Sequence, residues 1–145
     1  MPIHFYSEDV NLKITSKKKV RQWITQTILN EKLTADTISY IFCNDEYLHK
    51  MNLKYLNHDT YTDIITFDYS ENKSVSGDLF ISYDRIKQNA STFKSGVKKE
   101  LHRVMIHGVL HLCGYRDKTE TEKKLMRNKE NYYLDCLDTI LNSTG

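Results

Sequence analysis

Proline is almost missing from this chain: Pro2 is the only one in 145 residues, and glycine occurs five times. Proline interrupts helices and central strands, so a sequence without it beyond residue 2 can run in long unbroken elements. No Ser/Gly/Pro-rich linker and no internal repeat divides the chain. Residues 1–145 are therefore expected to form a single domain around one core.

The periodicity supports that expectation. Ile3 to Tyr6 reads as a short strand, and Ser16 is placed to cap a helix carrying Val20, Trp23, Ile24, Ile28 and Leu29 on one stripe. Thr37 to Phe42 is β-branched and aromatic, hence a strand, and Asn44 is positioned to cap a helix running to about Tyr55. Strands follow at Ile64–Phe67 and Leu79–Ile81, with Tyr69 to Ser76 between them as an irregular loop or wide hairpin. Beyond Tyr83 the chain reads as helical: Tyr83 to about Phe93, then Lys98 to Leu112 with Leu101, Val104, Met105 and Gly108 turned to the core. Gly114 marks the stop of that helix. Thr119-x-x-Glu122 forms a capping box before a last helix whose apolar stripe is Leu125, Tyr132 or Tyr133, Cys136, Leu137, Ile140 and Leu141. The expected class is α+β, a small sheet of about four strands packed by about five helices.

Composition excludes several functions. No run of about 18 apolar residues is present, so no membrane span is expected. The start MPIHFYSEDV lacks the basic-then-apolar layout of a signal peptide, which predicts a cytoplasmic protein. Cys43, Cys113 and Cys136 are odd in number and widely spaced, which argues against a disulfide framework and for reduced thiols or a metal role. With 21 Lys+Arg against 19 Asp+Glu, the net charge of +2 announces no nucleic-acid binder, and any basic surface must be local. Two clusters stand out, Lys17-Lys18-Lys19-Val20-Arg21 and Lys98-Lys99 with Arg103, and each also fits a solvated helix face.

The chemistry concentrates near residue 110. His107 and His111 are four residues apart, roughly 40° around a helix at 100° per residue, so both imidazoles can face one ion. They fall in the last turns, where the helix dipole favours a cation, and the metal site is expected at that helix end. Asp117 follows after the turn as a candidate oxygen ligand or, equally, as a solvated turn residue or a cap for the last helix; Cys113 is the rival ligand, and reads better as a small buried hydrophobe. Gly108 costs about 1 kcal/mol relative to alanine inside a helix, which close backbone packing would offset. It also occupies the position where H-E-x-x-H metalloproteases carry their general base, so the chain is poorly equipped as a protease. His4, His49 and His102 read as surface or packing residues; His102 lies about 140° round the helix from His107. The tyrosines, Tyr40, Tyr132 and Tyr133 among them, read as packing residues before they read as base-stacking ones.

On these residues the chain resembles the YbeY family of bacterial endoribonucleases and rRNA maturation factors. The segment from His107 through Leu110, His111, Leu112, Gly114 and Tyr115 to Asp117 is similar to the family signature H-G-x-L-H-L-x-G-Y-D-H. Met51 to Tyr55, with Thr62 to Phe67, resembles L-N-x-x-Y-R followed by T-D-V-L-S-F. Gly77 to Ser82 resembles G-D-I-x-I-S. The resemblance implies an α+β fold and a metal-dependent, single-strand-specific endoribonuclease acting on the 3′ end of 16S rRNA and in ribosome quality control. It also implies one zinc ion held by three histidines. His107 and His111 match the first two; Asp117 stands at the third, Arg116 replaces the preceding family aspartate, and Leu56 stands where the family carries an arginine. Two imidazoles and a carboxylate also suit iron or manganese.

The implied partners are precursor rRNA and the small ribosomal subunit, with no DNA and no membrane. Arg116, Lys98, Lys99 and Arg103 are the candidate phosphate contacts. Asp63 is a candidate for orienting a ligand or water, with capping of its loop as the alternative, and His58 and Asp59 lie in the loop between the matched segments. A ribosome-associated assembly factor with a mainly structural metal is the alternative that the Leu56 departure suggests.

Overall fold

A computed structural model describes residues 2–58 and 62–143. Asp59 lies outside the described residues. Strand β1 (Ile3–Ser7) leads into helix α1 (Lys17–Asn30), then β2 (Thr34–Cys43), α2 (Asp45–Leu56), β3 (Ile64–Asp68), β4 (Ser74–Ser82), α3 (Tyr83–Thr92), α4 (Val97–Leu112) and α5 (Glu120–Leu141). The four strands form one sheet in the order β1-β2-β4-β3, with β1/β2 and β2/β4 parallel and β3/β4 antiparallel. This is the α+β class the sequence predicts, with five helices on four strands. No helix among the described residues is long and apolar enough to cross a membrane.

Alternation along the strands sorts the core onto two faces. Ile38, Tyr40 and Phe42 of β2 and Val75, Leu79 and Ile81 of β4 are buried against α1, α4 and α5, where Trp23, Ile24, Ile28, Met105, Val109, Met126 and Leu137 meet them. The opposite face holds a smaller cluster, Cys43, Leu48 and Ile65, joined by Phe67, Phe80 and Met51 under α2. Tyr40 crosses from sheet to helix, its hydroxyl donating to the Met105 carbonyl at 3.1 Å.

Gly108 sits where α4 presses on β3 and β4. A Cβ there would lie 2.8 Å from Ile64 Cδ1 and 2.8 Å from Leu79 Cδ2, so the glycine allows the close approach expected of it. Asn44 caps α2 by accepting from the Tyr47 amide at 2.8 Å, and Thr119 and Glu122 form the expected capping box on α5.

Some local expectations are overturned. Ser16 precedes α1 but is left-handed (φ 55°), and its side chain caps nothing. Leu29 is 54% exposed, because the buried stripe of α1 runs Val20, Trp23, Ile24, Thr27, Ile28 and Leu29 lies about 100° round from Ile28. Leu125 is likewise exposed, Met126 taking the inward position, and of the tyrosine pair Tyr133 is buried while Tyr132 faces solvent. The link after Tyr69 is a tight hairpin bridged at Glu71 and Ser74, and β4 begins at Ser74. Pairing of Ser74 and Val75 with Thr34 and Ala35 of β2 extends that strand, a long-range influence to which local propensity is blind.

Candidate metal centre

Helix α4 ends in a Schellman motif: Gly114 (φ +108°) donates to the His111 carbonyl at 3.0 Å and Tyr115 to the Leu110 carbonyl at 3.0 Å. That reversal brings Asp117 back over the last turns of the helix. Its Oδ2 lies 3.3 Å from His107 Nε2 and 3.3 Å from His111 Nε2, and the two Nε2 atoms are 3.0 Å apart. Among the described residues these three make the group of metal-ligating side chains whose donor atoms converge. Cys113 lies outside that group; it packs on the core, and burial pushes its thiol up to about 12.

The outer ring nitrogens fix the tautomers. His111 Nδ1 donates to the Tyr115 carbonyl at 2.9 Å, an atom that can only accept, so in the neutral ring Nε2 keeps its lone pair. His107 Nδ1 meets Glu130 Oε2 of α5 at 2.7 Å. Glu130 is almost wholly buried, with 7% of its side chain exposed, and its other oxygen accepts from Arg103 Nη1 at 2.9 Å. Burial works against the Glu130 charge, but His107 and Arg103 outweigh it and hold the carboxyl below its usual range. Burial likewise opposes charge on His107, yet the hydrogen bond and charge of Glu130, then Asp117 and Asp63, leave its pKa raised.

With both rings neutral, two imidazole lone pairs and a carboxylate oxygen converge, and a cation entering between them, a proton or a metal ion, relieves their repulsion. Bonds of about 2.0–2.1 Å at tetrahedral angles put neighbouring ligand atoms roughly 3.3–3.4 Å apart. The observed edges of 3.0–3.3 Å fit such an ion.

A second set of contacts fastens the ligand loop from behind. The Tyr115 hydroxyl donates to Glu31 Oε1, at the end of α1, at 2.6 Å. The other Glu31 oxygen accepts from Tyr133 of α5 and from Lys129 Nζ at 3.5 Å. Burial opposes the Glu31 charge, but these donors together hold its carboxyl below the usual range.

The remaining sequence candidates scatter. Asp63 is half-buried on the wall of a cavity of about 330 Å³ shared with His107, Glu130 and Arg103, and burial raises its pKa despite the His107 charge. Arg116 is exposed beside Asp117, and Lys98 and Lys99 are exposed on the first turn of α4. Arg103 is engaged by Glu130 and by Asn131 Oδ1 at 2.9 Å. Leu56 is exposed at the end of α2, and His58 faces solvent after it. His4 and His49 are half-buried, while His102 is buried edge-on to Trp23 at 5.9 Å and burial pushes its pKa down to about 4.

Glu130 and Glu31 escape sequence reasoning. Glu130 had a usable signal: it occupies a position on the buried stripe Met126, Tyr133, Leu134, Leu137, where a charge requires a buried partner. Glu31, at a helix end, offers none.

The comparisons with known proteins agree with this architecture. The family model described as Endoribonuclease YbeY matches residues 2–138. A Cytophaga hutchinsonii protein named Endoribonuclease YbeY is 51% identical over 130 residues, 89% of this chain and 91% of its own. The Parabacteroides distasonis protein of the same name is 48% identical over 137 residues, 94% and 96%. The solution structure of TM1509 from Thermotoga maritima superposes with a TM-score of 0.65 at 21% identity, over 98% of this chain and 97% of that one, and shares the fold. With the family model spanning nearly the whole length and relatives near half identity, the chain belongs to the YbeY family.

Proposed function

We propose that this protein is a metal-dependent endoribonuclease that cleaves single-stranded RNA, with precursor rRNA as substrate and the small ribosomal subunit as its place of action in the cytoplasm. The observation that carries the reading is the convergence of His107 Nε2, His111 Nε2 and Asp117 Oδ2 within 3.0–3.3 Å of one another. The relatives' name, Endoribonuclease YbeY, supplies the reaction class.

His107, His111 and Asp117 are the ligands in this reading. Zinc is the expected ion, and iron or manganese also suit a donor set of two imidazoles and one carboxylate. A bound divalent cation supplies Lewis acidity toward the phosphodiester and makes water more acidic. Glu130 keeps the proton of His107 on Nδ1 and so keeps Nε2 free. The Tyr115 carbonyl does the same for His111. Asp63 faces the same cavity with its ionisation opposed by burial, which suits it to take a proton from the attacking group or return one. Arg116 stands beside Asp117 as the guanidinium able to hold a non-bridging phosphate oxygen, and Lys98 and Lys99 are exposed for the flanking strand.

Elemental mass spectrometry of chelator-free protein, with His107→Ala and Asp117→Ala assayed beside it on rRNA-derived single strands, tests the reading. About one equivalent of transition metal in the parent, lost together with cleavage in both variants, is the expected result. Cleavage by metal-free parent, or undiminished cleavage in both variants, would overturn it. Bound metal with no cleavage of any RNA by the parent would make the protein an assembly factor instead.

A further inference from the structure

The cavity beside His107 does not end at the metal ligands. It continues past Arg103 and Arg127 into a second hollow of about 260 Å³ bordered by Phe93, Ser95 and Lys99. Phe93 borders both, and at 68% exposure it is the most exposed large hydrophobic side chain among the described residues. It is held there by local structure. Its amide donates to the Asn89 carbonyl at 2.9 Å, and Ser95 folds back to donate to the Ala90 carbonyl at 2.9 Å across a left-handed Lys94 (φ 53°). A turn tied back onto α3 thus presents an aromatic ring to water on a fixed base, at the edge of a groove that reaches His107, one of the three candidate ligands.

The polar groups along the groove point to the same kind of ligand. Arg127, whose side chain is 62% exposed, stands 3.9 Å from Glu130 on one rim, and Lys99 is exposed on the other. Glu100 and Asp63 lie lower, in the floor and wall. Ser95 Oγ is buried with no hydrogen-bond partner among the described residues, and rotation about χ1 offers that bond to a group entering the groove. An exposed ring flanked by cations and a spare hydroxyl matches the repeating base, phosphate and hydroxyl of a polynucleotide.

We propose that Phe93 is a stacking platform for a nucleobase of single-stranded RNA whose backbone runs along Arg127 and Lys99, one or two nucleotides from the bond at His107. The inference rests on the nuclease reading only for the position of the cleaved bond. A duplex keeps its bases stacked on one another and cannot lend a face to Phe93, so the platform selects for unpaired strands.

The test reads binding rather than cleavage. Phe93→Trp introduces a fluorophore at the platform, while Trp23, 1% exposed, is a buried and constant background. The probe is 2′-O-methylated oligouridylate, alone or annealed to its complement. Quenching by the single strand and none by the duplex is expected. Phe93→Ala should weaken binding of the single strand roughly tenfold or more and leave duplex binding unchanged. Arg127→Ala should weaken both and lower the salt dependence by about one counterion. Tyr132→Ala removes an exposed aromatic on another face of α5 and should change neither. Single-strand binding by Phe93→Ala within about twofold of the parent, or absent quenching, would overturn the inference and leave the ring to a protein partner. A parent that binds with these signatures but never cleaves would remove the nuclease reading and leave the platform standing.

Discussion

Glu130→Gln is the most discriminating change available, because it preserves volume while replacing a charged group that accepts at both ends by an amide that accepts at one. The carboxylate accepts from His107 Nδ1 at 2.7 Å and from Arg103 at 2.9 Å, with 7% of the side chain exposed. A glutamine amide has one acceptor and one donor end, and both neighbours are donors. If its oxygen stays with Arg103, its amino group faces His107 Nδ1 and drives the imidazole proton to Nε2, the atom aimed at Asp117 and His111. If the oxygen stays with His107, the amino group opposes Arg103. Losing a partner of this kind typically costs 10–100-fold in metal affinity, about 1.4–2.8 kcal/mol. Breaking a buried ion pair costs about 3–5 kcal/mol of stability. Arg103 keeps its bond to Asn131, so the low end, about 3 kcal/mol, applies here. Competition with a chromophoric chelator measures the first quantity and urea unfolding of the metal-free protein the second. Metal affinity within twofold of the parent would refute the claim that Glu130 sets the His107 tautomer, whatever the stability does.

Three further outcomes are expected. His102 is held near pKa 4 against an ordinary 6.5, so its neutral form is the native one. Its contribution is complete above pH 6.5 and is lost as pH falls towards 4, about 3 kcal/mol in all. Urea unfolding at pH 7 and 4.5 should lose most of that in the parent and markedly less in His102→Phe; equal losses would exclude His102 as the source. Gly108→Ala gains about 1 kcal/mol of helix propensity but puts a methyl 2.8 Å from Ile64 and Leu79, an overpacking worth about 1–3 kcal/mol, so net destabilisation near 1 kcal/mol is expected in unfolding curves, and a stabilised variant would show that these side chains can move aside. Tyr115→Phe, which frees the ligand loop from Glu31, should weaken metal binding roughly tenfold by calorimetry, and unchanged binding would mean the loop holds its shape alone.

What the amino-acid sequence discloses here is the local part. Asn44, Thr119 and Gly114 act within a turn of themselves, and the donors His107, His111 and Asp117 sit inside one helix end and its reversal, so their placement on one side of that end follows from helical spacing and a left-handed glycine, though their aim does not. The first half of β4 is hidden because its pairing partner lies some forty residues earlier, in β2. Glu31 is hidden for the same reason, and so are the partners of Glu130, though not its place on the buried stripe of α5: both acceptor roles depend on how the helices dock. Arg103, read as a phosphate contact, turns out to be bound to Glu130 and Asn131, because a cation on a helix facing another helix finds a carboxylate before it finds solvent.

Glu31 gathers Tyr115, Tyr133 and Lys129, and so joins the end of the first helix to the ligand loop and to the last helix. A peptide spanning residues 107–117 would contain every donor atom and still lack the scaffold that aims them. If the proposed cation binds there, its full affinity requires the first and last helices to have docked, so occupancy would report completed folding. By the same linkage a cation at a hundred times its Kd adds about 2.7 kcal/mol to the whole domain, not to one loop. On the metal-dependent reading, cells short of that cation would hold less of this protein as well as a less active one, since the unloaded fold would open more often to proteases.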